Sequence, residues 1–339
     1  MAKFVARRIL WMIMVLFVIS LITFVLMRSV PGGPFTREKA LPEATLKLLN
    51  EKYNLDAPFI EQYLDYVTDI LVPRVTYGKL KPSTAQDYLV VISLPSSMGD
   101  QAALRWMNFG PTYKSRSRSV NDIFRENLPI SFQLGLAALA VAVAIGVPLG
   151  IISALKRNTF YDYFGMGTAI IGVSVPVIIS APLLQYIFGV QLKILPVTGW
   201  GDIQSAFLPA LALGFVNAAL IARLTRASLL QVLNEDFIRT ARAKGLPERV
   251  VIIVHALKNS MIPVVTILGP LLAALVTGSF VVETIFGIPG MGRYFVTSIT
   301  GRDYPVIMGT LLLYAFFLVV MNLFVDIAYA WLDPRIRFD

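Results

Sequence analysis

The sequence predicts an all-α, polytopic membrane protein with six transmembrane helices and a helical segment outside the membrane after the first of them. Hydrophobic residues make up 56% of the 339 residues, and the mean hydropathy is +0.68. This apolar share exceeds that of ordinary soluble domains. The apolar residues are also gathered into runs of about 20, the length that a helix needs to cross the hydrocarbon core of a bilayer.

The six predicted spans follow one another along most of the chain. Lipid offers no hydrogen-bond partner to the backbone, so we expect each span to be a regular helix. Gly and Pro in the span interiors, such as Pro176 and Pro182, are tolerated where neighbouring helices cover them. The predicted spans are 9–27, 130–155, 164–189, 207–224, 261–286 and 306–331.

The distribution of basic residues predicts the orientation of the spans. Short cytoplasmic loops carry an excess of Lys and Arg, and this chain has 30 Lys and Arg against 21 Asp and Glu. Basic residues precede the first span, follow the second, fill the loop after the fourth and return in the tail. We therefore expect both termini in the cytoplasm. The residues that carry this prediction are Lys3, Arg7, Arg8, Lys156, Arg157, Arg226, Arg239, Arg242, Lys244, Arg249, Lys258, Arg335 and Arg337.

This orientation divides the chain into four parts. Residues 1–30 form an N-terminal transmembrane anchor, and residues 31–127 form an external segment. Residues 128–332 form a core with five spans, and residues 333–339 form a cytoplasmic tail. A cleaved signal peptide is the alternative for the anchor. Its apolar run is longer than usual, however, and the following RSVPGGPF has no A-x-A site, so an uncleaved anchor is favoured.

The external segment contains the pattern of two amphipathic helices, LPEATLKLLNEKYNLDAPFIEQYLDYVTDIL. Pro42 suits the first turn of the first helix, and Asp56 is expected to cap the second, with Pro58 in its first turn. Two interpretations are open for these helices. In the first, they lie on the membrane face or pack on the span ends. In the second, they present a docking surface to an external partner. The basic, Ser-rich stretch 113–119 is expected to be a solvated linker. The apolar stripe of the second helix is Phe59, Tyr63, Tyr66 and Ile70.

The sequence carries no motif for chemistry of its own. It has no G-x-x-x-x-G-K-[ST] phosphate-binding loop, no H-E-x-x-H and no G-x-S-x-G. It has no Cys and a single His, so we expect no metal on this chain. Glu283 and Asp326 lie near span ends, whereas a cation-coupled carrier keeps ionisable groups near mid-membrane. We expect neither catalysis nor a cofactor here. A secondary transporter would also need inverted repeats, which are not visible. A membrane scaffold without a transport function is a further alternative.

The charged stretch EDFIRTARAKGLPERVVIIVHALKN lies between two predicted spans. It predicts a helix, a tight turn and a second helix outside the membrane. Asn234 is expected to cap the first helix, and Arg242 suits its last turn. Gly245 suits a left-handed residue after the helix, because a glycine has no side chain to clash there. Pro247 then begins the second helix, in which His255 is interpreted as a packing or interface residue.

Small residues around this turn would let the surface of another protein approach the backbone closely. They are Thr240, Ala241, Ala243 and Gly245. From the residues alone, an interfacial hairpin is an equal alternative, with its arginines on lipid phosphates.

RTARAKG followed by HALKNSMIPVV resembles the cytoplasmic EAA loop of permease subunits of ATP-binding cassette importers, above all the dipeptide/oligopeptide/nickel branch. Stretches such as GVSVPVIISAPLL, LPVTGWG and VVETIFGIPGMGR extend the resemblance from Phe124 to the end. The start, RSVPGGP and LNEKYNLDAPFIEQYLDYV, resembles the B-type subunit. Arg239 and Thr240 replace the glutamate and first alanine of the EAA signature, and Gly33 replaces the acid of the family's PGDP. Residues 73–104 are interpreted as an insertion of unassigned role.

The resemblance implies the type I ABC importer permease fold and a peptide cargo, with nickel or an oligosaccharide as alternatives. It implies that the chain forms half of a translocation pathway in a bacterial or archaeal cytoplasmic membrane. The implied partners are a homologous C-type permease, two ATPases that bind ATP and Mg, and an external binding protein.

Within this family, residues 234–259 form the loop that couples the permease to the ATPases. The implied ATPase-coupling residues are Arg239, Thr240, Ala241, Ala243, Lys244 and Gly245. Polar positions in the spans are candidates for the pathway, although packing between helices is an equal alternative for each. These candidates are Gln133, Ser174, Gln185 and Asn217.

Overall fold

Helices account for most of the structure, a computed structural model that describes residues 2–30, 33–35, 42–77, 88–94, 102–115 and 117–332. The predicted helical class is confirmed. In these residues the helices are α1 Ala2–Ser29, α2 Glu43–Lys52, α3 Phe59–Leu71, α4 Val120–Leu155, α5 Phe160–Ser174, α6 Val177–Leu184, α7 Ile203–Val232, α8 Asp236–Ala243, α9 Glu248–Ser260, α10 Ile262–Val276, α11 Phe280–Phe286, α12 Gly292–Thr300 and α13 Tyr304–Leu332. The predicted tail 333–339 lies outside the described residues.

Four helices in the described part of the chain are long and apolar enough to cross a membrane. They belong to α1, α4, α7 and α13. Two further candidates are bent pairs: α5 with the helical stretch Val177–Gln191, and α9 with α10. If each pair is one span, the total is six, which agrees with the predicted number.

The third predicted span is not a regular helix, and this part of the prediction is wrong. The α5 helix ends at Ser174, and the next helix begins at Val177 after a bend of 106°. Pro176 explains the break, because proline lacks an N–H and forces the residue before it out of the helical region. Val175 is accordingly extended, with φ −89° and ψ 112°. Beyond α6 the chain continues as a π-helix, Gln185–Gln191.

The fifth predicted span is also divided. The α10 helix ends at Val276, and α11 begins at Phe280. Between them Gly278 has φ +102°, a left-handed conformation that a helix cannot contain and that glycine adopts at low cost. The predicted run 261–286 is therefore two helices joined by a tight turn.

The chain divides into two compact units. The first consists of Met1–Met12, Ile130–Gly292 and Phe316–Asp339, and the second of Ile13–Pro129 and Arg293–Ala315. In the first unit, α4 and α7 touch backbone to backbone. A Cβ at Gly146 would lie 2.6 Å from the carbonyl oxygen of Ala218, and one at Gly150 would lie 2.6 Å from that of Ala222. Such small-residue contacts are typical of helix pairs in membranes.

An ion pair joins α5 to α7 in the first unit. Arg226 donates from Nε and Nη2 to the two carboxylate oxygens of Asp162, each at 2.7 Å. Asp162 also accepts a hydrogen bond from the backbone N–H of Asn158 at 3.0 Å. The Asp162 side chain is only 4% exposed, so the pair is shielded from water on the acidic side.

In the second unit, α3 packs on α1. The Tyr63 hydroxyl lies 2.8 Å from Ser20 Oγ, and its ring packs edge-on against Phe24 with 5.3 Å between centroids. Tyr63 is 3% exposed. The apolar stripe of this helix is therefore used for packing, as the first of the two sequence interpretations expected.

The predicted starts of α2 and α3 are each displaced, since the sequence predicts Pro42 and Pro58 in the first turns. Pro42 and Pro58 are themselves the N-cap residues. Asp56 does not cap α3: its Oδ1 accepts a hydrogen bond from Asn50 Nδ2 at 3.2 Å. The side chain of Gln62 ties this turn together instead, because its Nε2 donates to the carbonyl oxygens of Leu55 and Ala57.

A three-stranded antiparallel sheet follows α3, and the sequence did not predict it. The strands are β1 Arg74–Tyr77, β2 Val90–Leu94 and β3 Ala102–Trp106, with β3 in the middle. Their β-branched and aromatic residues suit extended structure. Most of the sheet lies in the predicted insertion 73–104, and β3 continues to Trp106. Residues 78–87 and 95–101 of the insertion lie outside the described residues.

The stretch 113–119 is not a solvated linker, so this expectation is wrong. Asp303 accepts hydrogen bonds from the Tyr113 N–H and the Thr112 hydroxyl. Ser119 and Asp122 form reciprocal hydrogen bonds at the start of α4, where an acid and a hydroxyl complement the free N–H groups. The stretch is thus fastened at both ends. Arg116 lies outside the described residues.

We expect Arg226→Met to lower the free energy of unfolding by about 3 kcal/mol, because it leaves a buried carboxylate without its partner. The matched control is Arg239→Met, which breaks an exposed pair with Asp236 and should cost under about 1 kcal/mol. Thermal unfolding of both variants in one detergent measures the difference. Equal shifts would contradict a structural role for the Asp162 pair.

Candidate functional site

The α8 helix, the centre of the predicted loop 234–259, begins one residue later than expected. Its N-cap is Glu235, with extended backbone, and Asp236 lies in the first turn. Asn234 is not the cap, because its Nδ2 donates to the carbonyl oxygen of Leu230 at 2.8 Å. That side chain therefore provides a hydrogen-bond donor to a backbone carbonyl group at the end of α7 instead.

Gly245 ends α8 in the predicted left-handed conformation, with φ +75°. Its N–H donates to the carbonyl oxygen of Arg242 at 2.9 Å, and the N–H of Leu246 donates to that of Ala241 at 3.4 Å. These two bonds define the Schellman motif. A Cβ at Gly245 would meet no atom within 4 Å. Glycine is therefore required here by backbone conformation and not by crowding.

A charged pair bridges the turn. Arg242 donates from Nη2 to Glu248 Oε1 at 2.7 Å and from Nε to Oε2 at 3.2 Å. The hydrogen bond to Glu248 raises the pKa of Arg242 above its usual value. The pair joins the last turn of α8 to the first turn of α9, across Gly245. Arg239, by contrast, pairs within its own helix with Asp236 at 3.3 Å.

One face of α8 is bound to the rest of the first unit. Ile238 is fully buried and Ala241 is 7% exposed. Both pack in an apolar cluster with Ala154, Leu229, Val251 and Ala256. The expectation that Ala241 faces another protein is therefore corrected. Its small side chain allows α8 to approach its own core.

The opposite face of α8 is open. It carries the other implied coupling residues, which are Arg239, Thr240, Ala243, Lys244 and Gly245. Two large apolar residues, Phe237 and Leu246, are also exposed on this loop. Sequence reasoning missed them, although an apolar residue in a charged loop was a signal. His255 is half-buried in the π-helical stretch Val251–Leu257 of α9.

No hydrogen bond joins any two of the four candidate pathway residues, all of which lie in the described part of the chain. Gln133 and Ser174 are exposed. Asn217 donates from Nδ2 to the carbonyl oxygen of Leu213 within its own helix, at 2.7 Å. Gln185 donates from Nε2 to the carbonyl oxygens of Val197 and Ile285, at 2.7 and 3.0 Å. For Gln185 and Asn217 the alternative of a packing role gains support.

Glu283 is a buried carboxylate that sequence reasoning did not select. It is 1% exposed and accepts hydrogen bonds from the Ser131 hydroxyl and the Gly292 N–H, each at 2.7 Å. Glycines enclose it: a Cβ at Gly290 would lie 2.4 Å from Glu283 Cδ. The run of glycines in ETIFGIPGMG was the available signal. The carboxylate joins α11 to α4 and to the start of α12.

The described residues contain no group of three or more His, Asp or Glu side chains that could hold a metal ion. The loop contains a short helix, α8, that is packed on one face and exposed on the other, and that lies between α7 and α9 in the chain.

Two family models match this chain. The model of the binding-protein-dependent transport system inner membrane component matches residues 146–338. The model of the N-terminal part of such membrane components matches residues 1–83.

Curated relatives match the whole chain. The dipeptide transport system permease protein DppB of Bacillus subtilis (strain 168) is 43% identical, over 99% of this chain and 98% of the relative. The oligopeptide transport system permease protein OppB of Salmonella typhimurium (strain LT2) is 40% identical over 100% of both chains.

Among solved structures, the inward-facing MetNI methionine ABC transporter matches with a TM-score of 0.50 and 17% identity. The match covers 62% of this chain and 96% of that chain. At this identity the likeness concerns the fold alone. The resemblance inferred from the sequence is confirmed: the chain belongs to the binding-protein-dependent transport system inner membrane components, the multi-pass permease subunits of ATP-binding cassette importers.

Proposed function

We propose that this chain forms half of the translocation pathway of an ATP-driven importer of di- and oligopeptides. The observation that carries the proposal is the end-to-end identity of 40–43% with permeases named for dipeptide and oligopeptide transport. The cargo assignment rests on those names.

The proposed assembly contains a homologous C-type permease, two ATPases and an external substrate-binding protein. The absence of a phosphate-binding loop in this sequence supports ATP hydrolysis by other subunits. ATP and Mg²⁺ would bind on the ATPases. The role of this chain is then to convert motion of the ATPases into a change of access to the pathway.

The open face of α8 is the proposed contact with an ATPase. Transmitting motion requires that α8 move as one body with the spans. Burial of Ile238 and the pair between Arg242 and Glu248 supply that rigidity on two sides of the turn. A displacement of α8 would therefore be passed to α7 and α9 and would shift the population of the two access states.

Two features support an orientation with both termini in the cytoplasm. The first is the placement of Lys and Arg next to the spans. The second is the ion pair between Arg8 in α1 and Asp326 in α13, at 2.7 Å. It brings the start of the first span and the end of the last one together. The proposed location is the cytoplasmic membrane of a bacterium or archaeon.

For the pathway itself, Gln133 and Ser174 are the candidates that we retain first. Both are polar, lie in candidate spans and are exposed. Gln185 and Asn217 use their amide N–H groups on backbone carbonyls, so a contact with cargo would involve their remaining polar atoms.

We expect Gly245→Val to weaken ATPase binding without preventing insertion. The left-handed conformation costs a non-glycine residue roughly 1–2 kcal/mol, which is too little to unfold the protein. Gly245→Asn is the matched control, because Asn tolerates this conformation. Co-purification of the ATPases at equal expression measures the effect. If Gly245→Val retains them as well as Gly245→Asn does, the coupling role is wrong.

Ala243→Asp tests the open face, and Arg249→Gln tests the alternative of a hairpin on lipid headgroups. Both residues are exposed. Contact with an ATPase predicts loss of co-purification in Ala243→Asp and little change in Arg249→Gln. The headgroup hairpin predicts the reverse order. Ala241→Asp does not discriminate, because it would disrupt the core of the chain itself.

Single cysteines test the orientation, because the natural sequence contains none. Lys47→Cys in α2 and Lys244→Cys after α8 both replace exposed residues. A membrane-impermeant thiol reagent added to intact cells should label the first and not the second. Lysis of cells that lack the ATPases should make both reactive. Labelling of Lys244→Cys in intact cells would refute the orientation.

Reconstitution tests both which subunits hydrolyse ATP and which cargo is transported. The purified chain alone should neither bind nor hydrolyse ATP. Proteoliposomes that also contain both ATPases, the C-type permease and the binding protein should accumulate a labelled dipeptide when ATP is present. Uptake of nickel in place of the peptide would overturn the cargo, and ATP hydrolysis by the isolated chain would overturn the division of labour.

A further inference from the structure

A cavity of about 370 Å³ lies in the second unit beside the end of α1. In the described part of the chain, its polar lining consists of Arg28, Ser29, Asn50 and Tyr304, and Gly33 forms part of the wall. None of these residues takes part in the coupling loop or among the pathway candidates. The cavity therefore needs an explanation of its own.

Among the described residues of the lining, Arg28 alone carries a formal charge, and it is half-buried. Its guanidinium carbon lies 5.1 Å from the ring centre of Phe24 and 5.9 Å from that of Tyr304. No hydrogen bond or ion pair joins it to another residue in the described part of the chain. A partly desolvated cation without an anion is unfavourable, and an arginine fork presents donors that suit carboxylate or phosphate oxygens.

Aromatic packing holds this side of the cavity in place. The rings of Tyr304 and Tyr113 lie 6.3 Å apart, and Tyr113 contacts Phe35 and Tyr53 at 5.4 and 4.7 Å. The Arg28 guanidinium therefore lies against fixed ring faces. A preformed wall lowers the cost of ordering a ligand.

An apolar stripe on α1 leads to the cavity. Ile22, Val25 and Leu26 are exposed, with Leu26 at 61%. They share one helical face with Ser29, which lines the cavity. Since α1 is a candidate membrane span, this stripe suits hydrocarbon and the cavity lies at the end of that span.

We propose that this cavity binds the phosphate of a phospholipid headgroup, with Arg28 donating to the phosphate oxygens and an acyl chain along Ile22, Val25 and Leu26. A cationic cavity at the end of an apolar span complements both parts of such a ligand. A soluble anion would use the cavity and leave the stripe unused.

Gly33 offers a precise test of the charge. A Cβ at this position would meet no atom within 4 Å, and its φ is not left-handed. An aspartate can therefore be placed in the wall of the cavity without crowding. Its carboxylate would compete with the phosphate for Arg28, whereas asparagine of nearly the same size would not.

The experiment titrates the full-length chain in detergent with dihexanoyl phosphatidylglycerol and counts bound lipid by native mass spectrometry. We expect Arg28→Gln and Gly33→Asp each to raise the Kd about tenfold, the effect of losing a charge-assisted hydrogen bond. Gly33→Asn and Lys47→Gln, the latter an exposed cation outside the cavity lining, should leave the Kd unchanged.

A second arm distinguishes lipid from free anion. Millimolar inorganic phosphate should not displace the lipid, and Leu26→Ser should weaken lipid binding. Displacement by phosphate, with no effect of Leu26→Ser, would overturn the lipid assignment. An unchanged Kd in both Arg28→Gln and Gly33→Asp would overturn the site itself.

Discussion

The constraint on which the rest of this structure depends is that backbone polar groups in lipid must find partners inside the protein. Where a candidate span is interrupted, side chains supply those partners. Gln185 donates to the carbonyl oxygens of Val197 and Ile285, close to the turn that follows α11. Glu283 accepts from the N–H of Gly292, where the chain begins α12. In these two cases a polar side chain in a candidate span provides a hydrogen-bond partner for the backbone of another segment.

Outside the apolar helices, local backbone geometry provides the hydrogen-bond partners. Gly245 closes α8 with two backbone hydrogen bonds, and Arg242 bridges to Glu248 in water, where such a pair contributes little free energy on its own. Its value is geometric, because it restricts the angle between α8 and α9. Burial of Ile238 supplies the free energy that keeps the helix on the core. Rigidity and attachment therefore come from different residues of one short loop.

Local rules predicted what depends on local physics. The positions of the apolar runs follow from bilayer thickness, and Gly245 follows from the requirement for a left-handed residue after a helix. The failures have two causes. Asn234 and Asp56 have the right chemistry for caps, yet each side chain forms a competing hydrogen bond with a residue four or six positions earlier in the chain. The small sheet depends on pairing between strands that are separated in sequence. The burial of Ala241 depends on which side of α8 packs against the core. These last two features are not encoded within a few residues.

Small residues illustrate how far a residue type alone can be interpreted. Gly150 is small because α7 approaches it, so that any Cβ would meet the Ala222 carbonyl oxygen. Gly245 has open space around it and is required by its φ of +75°. Gly33 has open space and no such φ, so neither reason applies. Under the lipid proposal its role is electrostatic, because an aspartate at this position of the cavity wall would compete with a phosphate for Arg28. A single letter thus stands for a steric, a conformational and a charge-related role, and substitution by Ala, Asn or Asp separates them because each restores a different missing property.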